Sequence, residues 1–224
     1  MPEIQPTKQG KVVGSSQATQ AAARDATTGT HFDETGGDTL SIQWFRSSGR
    51  GGGTMRYIRA FLYFDTSGIT TTVSSATLKL FGNGSNNSAD IIAVKGTAFG
   101  GDGGTDLVND DFNNVDFGTA YTSELSTWNN SAFNDLTLNS TARTNMQNDD
   151  YLIIALVEAD SDYPDVDTGD GAFTVDMSFA PGRIKIDYTA AAAGYGNNVS
   201  GVASANIGAV KGVATANISK VIGV

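Results

Sequence analysis

An all-β fold is the architecture this sequence predicts: an antiparallel β-sandwich, jelly-roll-like, followed by a C-terminal repeat tail. Three observations carry that expectation. The 224 residues hold 27 glycines and only 17% charged side chains, a mixture suited to many short strands joined by turns. Several segments alternate apolar and polar residues with the strand period of two. Only one stretch, residues 140–147, has the character of a helix.

The elements follow in order. Residues 39–45 read as a strand, and a weaker one is expected near 21–27. Tyr57-Ile-Arg-Ala-Phe-Leu-Tyr-Phe-Asp65 is rich in aromatics. In Val73-Ser-Ser-Ala-Thr-Leu-Lys-Leu-Phe81, Ala76, Leu78 and Leu80 share one face, and Thr77, Lys79 and Phe81 the other. Residues 91–95 and 151–158 are apolar runs bounded by Asn, Asp and Gly. A short strand is expected at 136–138, then a helix over 140–147 capped by Asn139 or Ser140. Alternation returns at 173–179 and 183–189. The expected organisation is an N-terminal arm (1–19), a sandwich domain (20–189), a small-residue hinge (190–198) and a tail (199–224).

The tail contains one unit twice. Gly201-Val-Ala-Ser-Ala-Asn-Ile-Gly-Ala-Val-Lys211 is followed by Gly212-Val-Ala-Thr-Ala-Asn-Ile-Ser-Lys-Val-Ile222, identical at seven of eleven positions. Two copies are too few to bury an apolar face by stacking on themselves. Glycine, valine, asparagine and threonine disfavour a free helix. The segment is therefore expected to dock on a partner, with Val202, Ile207, Val210, Val213, Ile218, Val221 and Val224 as its apolar anchors. It resembles the short NGVA-x-ANI-x-KVNGV repeats of tailed-phage virion proteins, with Lys211 and Ile222 where asparagine is usual before glycine. The resemblance implies a virion component that contacts other virion proteins or copies of itself.

Composition narrows the function classes. The net charge is −10, and residues 101–170 hold fifteen acidic residues against one basic residue, Arg143, a net of −14. Phosphate binding needs a basic face, so nucleic acid is not an expected partner. No run of 18 apolar residues suggests a membrane span. Cysteine is absent, which removes disulfides and thiolate chemistry. The first residues, Met-Pro-Glu-Ile-Gln-Pro-Thr-Lys, lack a signal-peptide core. A particle assembled in a host cytoplasm and released by lysis fits these features, and a homo-oligomer is expected within it.

The body carries a second resemblance. Arg59-Ala-Phe-Leu-Tyr-Phe-Asp-Thr-Ser-Gly-Ile69 and Val73-Ser-Ser-Ala-Thr-Leu-Lys-Leu80, with Phe133-Asn-Asp-Leu-Thr-Leu-Asn-Ser-Thr-Ala142 and Ile184-Lys-Ile-Asp-Tyr188, are similar to DNRLRE-type domains. Those are β-sandwiches akin to carbohydrate-binding modules. Ile153-Ile-Ala-Leu-Val-Glu-Ala-Asp160 also resembles a segment of marine-phage structural proteins.

Catalytic patterns are sparse. His31 is the only histidine and sits in a polar turn-like segment, so any Ser-His-Asp triad would have to use it. Glycine runs at 49–53 and 100–104 lack the Lys and Ser/Thr of a phosphate loop. The 24 acids offer many pairs for glycoside cleavage, and no feature selects one. The leading expectation is a non-enzymatic virion protein. The runner-up is a module for cell-surface glycans, with Trp128 and Tyr121 as stacking platforms and Trp44 and Tyr163 as weaker candidates. Asp160, Asp162, Asp165, Asp167 and Asp170 crowd five carboxylates into eleven residues, a hard-oxygen set suited to calcium.

Overall fold

Strand alternation builds two sheets. The computed structural model describes residues 2–33, 39–47, 53–84, 90–169 and 171–191, together with 209–210 and 213–214. The first sheet is ordered β1 (Glu3–Ile4), β12 (Ile184–Ala190), β6 (Val73–Phe81), β9 (Phe133–Thr137). The second is ordered β11 (Gly171–Met177), β4 (Leu40–Arg46), β5 (Met55–Asp65), β10 (Tyr151–Glu158), β7 (Ile91–Gly96), β8 (Val115–Ala120). A branch at β5 adds β2 (Lys8–Gly14) and, beyond it, β3 (Gly29–Asp33). Every pairing in both sheets is antiparallel. The protein is an antiparallel β-sandwich, as its patterning predicts.

Register explains which face each side chain takes. Leu78 lies opposite Ile186 on one side and Leu136 on the other, so three buried aliphatics form a row across the inner face. The outer face carries the alternate positions. There Phe81 and Phe133 meet edge to face at 5.3 Å, with the Arg183 guanidinium 3.9 Å above Phe81. Lys79 donates to Asp135, and Lys185 to Glu3, on the same solvated surface.

The central strands of the second sheet are covered on both faces. One face meets the first sheet. The other lies under α1 (Gln20–Arg24) and two 3-10 turns, Phe99–Gly101 and Asn109–Asn113. That double burial is why Leu152 to Val157 read as an unbroken apolar run. The helix α2 (Ser140–Asn148) packs on β6 and β10 through Ala142 and Met146, one turn apart. Asn139 is its cap, its side-chain oxygen accepting from the Ala142 amide at 3.0 Å.

Several boundaries differ from expectation. Residues 1–19 are not a free arm: β1 pairs with β12, and β2 pairs with β5 along its length. The strand expected near 21–27 is instead the helix α1. Its Ala21-Ala22-Ala23 run favours helix, and Thr19 caps it by accepting from the Ala22 amide at 3.2 Å. Strands β3 and β8 have weak alternation and were not expected. Ala209–Val210 (β13) and Val213–Ala214 (β14) pair antiparallel with each other. Among the tail anchors, Val202, Ile207, Ile218, Val221 and Val224 lie outside the described residues, as do the hinge residues 192–198.

Candidate functional site

A buried ion pair organises the acidic half of the molecule. Arg59 occupies a β5 position on the face away from the first sheet and is 0% exposed. Its Nε and Nη2 donate to the two carboxylate oxygens of Asp162 at 2.8 and 2.6 Å. Nη2 also donates to the Arg24 carbonyl, and Nη1 to the Phe112 carbonyl, both at 2.8 Å. The Phe112 ring lies 4.2 Å from the guanidinium carbon and the Phe117 ring 5.0 Å. A buried charge is tolerable only when its donors are this fully occupied.

The turn after β10 holds Asp162 in place. Glu158 accepts from three successive backbone amides, those of Asp160, Ser161 and Asp162, at 2.8, 2.7 and 3.0 Å. Burial pushes the Glu158 carboxyl up, and those three amides pull it back. Tyr57 and Ser161 share a short hydroxyl contact of 2.5 Å, and burial raises the Tyr57 phenol.

These contacts divide the carboxylates expected to gather around calcium. Asp162 is spent on Arg59. Asp165 lies 3.7 Å from Arg24, and Asp167 accepts from Arg46 at 2.6 Å. The Gly169 amide and Arg46 together hold the Asp167 carboxyl below its usual range. Asp160 turns toward a different cluster, and Asp170 lies outside the described residues. Among the described residues no three His, Asp or Glu side chains are placed to hold a metal ion together.

The aromatic candidates are also reassigned. Tyr121 is 1% exposed, so its ring offers no platform. Its hydroxyl accepts from Asn145 at 2.8 Å, and burial pushes it up to about 12. Trp128 is half-buried against the core, and its indole nitrogen is enclosed without a partner among the described residues. Trp44 is a core residue, and Tyr163 is half-buried against the core. His31 is exposed on β3 and shares Asn109 Oδ1 through its backbone amide and ring, at 2.9 and 2.8 Å.

Two surface depressions lie beside these candidates and the acidic residues. A groove of about 120 Å³ is lined by Lys95, Tyr121, Asn145, Asp149 and Tyr151, and the Tyr151 ring stacks on Tyr63 at 5.9 Å and 21°. A larger cleft of about 230 Å³ separates Ser123–Glu124–Leu125 from Asp135–Leu136–Thr137 on β9. Near it Asp90, Glu124 and Asp160 repel one another. Burial, then Asp160, then Glu124 push the Asp90 carboxyl up to about 6.

The sign of that shift has a measurable consequence. A carboxyl raised on folding binds its proton more tightly in the native state. Its contribution to stability is therefore greatest below about pH 4 and is lost as pH rises through about 6. Asp90→Asn should raise the melting temperature at pH 7, by about 1 kcal/mol in stability once solvent screening is allowed for. The gain should shrink toward pH 4. Equal melting curves for the two proteins at pH 7 would contradict this account.

No family model matches the chain, and no curated protein is similar to it.

Sequence reasoning missed Arg59, although an arginine inside Ile58-Arg59-Ala60-Phe61-Leu62 is itself a signal of a paired buried charge. The Asp90, Glu124 and Asp160 cluster has no such signal, because only the fold brings three distant segments together.

Proposed function

We propose that the chain is a non-enzymatic structural component of a tailed-phage particle, a capsid decoration, head fibre or tail component. In this reading the sandwich is displayed outward and the repeats of residues 199–224 anchor it to the assembly. The reading rests on the division of labour along the chain. The hydrophobic core runs from Val12 to Ile186. The two described tail strands pair with each other and join neither sheet of the sandwich. Neither described tail strand is committed to the sandwich, and the regularly placed valines and isoleucines of the repeats would give a partner something to grip. Their resemblance to virion repeats supplies the class of assembly.

Deleting residues 199–224 tests the proposal. The shortened protein should keep its cooperative melting transition but be lost from purified particles, as read by mass spectrometry. Undiminished incorporation would overturn the anchoring role, and absence of the intact chain from all particles would overturn the virion assignment.

The groove beside Tyr151 supports a second reading, recognition of a glycan. It combines a rigid stacked ring with a lysine, an amide and a carboxylate, the mixture that holds a sugar's face and hydroxyls. Tyr151→Ala should abolish any signal on a glycan array while Trp128→Ala spares it. An array blank for the intact protein would remove this reading.

A further inference from the structure

Strand β9 is an open edge. It pairs with β6 on one side and has no strand on the other among the described residues. Every second N–H and C=O along such an edge points outward, ready to pair with an added strand. Natural edges are commonly blocked by a bulge, a proline or an inward charge. Phe133-Asn-Asp-Leu-Thr137 pairs with β6 in unbroken register and contains no proline.

The cleft of about 230 Å³ runs along this same edge. Its floor is apolar, with Leu136 buried and Leu125 half-buried. Its rim is acidic. Asp135 is already matched by Lys79, which donates to both its oxygens at 2.9 and 2.7 Å. Glu124 and the neighbouring Asp90 and Asp160 have no basic partner among the described residues. A strand entering here would meet apolar contacts below, free backbone groups beside it and uncompensated negative charge above.

We propose that the β9 edge receives the C-terminal repeat segment of a neighbouring copy of this chain. The inference rests on the anchoring role proposed above and names the surface that the repeats engage. Three properties of the segment match the cleft. It contains strand pairing of its own, at Ala209–Val210 and Val213–Ala214. Its valines and isoleucines are separated by small residues, mostly three and five positions apart, so single aliphatic side chains can reach a shallow apolar floor without bulky neighbours. Its only charged residues are Lys211 and Lys220, which complement Glu124, Asp90 and Asp160. Each copy offers one β9 edge and one tail, so exchange either closes reciprocally into a pair or runs on head to tail, and the size of the assembly tells the two apart.

Charge exchange in the full-length protein tests this directly. By analytical ultracentrifugation the intact chain should self-associate, more weakly as salt rises. Glu124→Lys should weaken association about tenfold or more, and so should the pair Lys211→Glu with Lys220→Glu. Combining all three should restore much of it. Glu124→Lys relieves repulsion at Asp90, so the variant should melt no lower than the intact protein, and a loss of association is then not a loss of fold.

A second measurement fixes the register and the source of the strand. The chain contains no cysteine, so Thr137→Cys with Val210→Cys introduces the only two thiols. Oxidation should give disulfide-linked dimers and higher species. A purely intramolecular link would overturn docking between copies. A monomeric intact chain, or association indifferent to Glu124→Lys, would overturn the β9 site. Either result leaves loss of the tail-deleted chain from particles to be judged separately, as anchoring on another protein.

Discussion

Replacing Asp162 with alanine should destabilise the protein by about 3–5 kcal/mol, because the Arg59 guanidinium is left charged and buried with no carboxylate. Urea denaturation would register this as a lower midpoint with an unchanged slope. Arg59→Met should cost a similar amount for the mirror-image reason, a buried carboxylate without its cation. The double variant Arg59→Met with Asp162→Leu should be less damaging than the sum, since it removes both charges together. Strict additivity would show that the pair is not the unit described here. The loss should reach beyond the pair, because the same guanidinium holds the carbonyls of Arg24 and Phe112.

Gly82→Ala is expected to have the second largest effect, about 2–3 kcal/mol by overpacking. A Cβ at this position would stand 1.9 Å from the Asn129 carbonyl oxygen and 2.9 Å from the Trp128 indole nitrogen. The backbone cannot easily retreat. The Gly82 amide donates to the Ala132 carbonyl at 3.0 Å, and the residue bridges Met177 across the sandwich. Adding Trp128→Ala should not rescue the variant, since the shorter contact is with backbone. A melting temperature equal to that of the unsubstituted protein would refute this picture of a loop wedged against β6.

Much of the fold was legible because burial on one face writes a period of two into the chain. Strands β4, β5, β6, β10, β11 and β12 lie within a few residues of their sequence signals. The missed strands share a physical cause. The β8 strand has half-buried or exposed residues throughout, so no face is selected for apolar side chains. In β2 the inward positions are Gly10, Val12 and Gly14, of which two are glycines. A Cβ at Gly14 would reach 2.6 Å from the Phe112 ring, so packing demands the residue that hides the strand pattern. For α1, alanine's helix preference outweighed the position beside a sheet, and the Thr19 cap was readable in hindsight.

The site was less legible than the fold. Tyr121 and Trp128 read as stacking platforms in the sequence, yet a ring's exposure depends on what folds over it. The aspartates after β10 look like one cation site in sequence. Arg59, Arg24 and Arg46 come from three other segments and claim them singly. Proximity in sequence is a poor guide wherever long-range partners compete.

The pairing of β1 with β12 sets an order on synthesis. Glu3 and Ile4 find Asp187 and Ile186, and Lys185 donates to Glu3. Residues 3–4 thus wait, once made, for nearly the last strand of the sandwich. Until residue 190 emerges, both β6 and the N-terminal segment lack their β12 neighbour, and the growing chain carries an unfinished sheet. A chain made in quantity would spend that interval vulnerable to pairing with its siblings, so the rate of translation through the final third of the sandwich should influence how much reaches the soluble fraction.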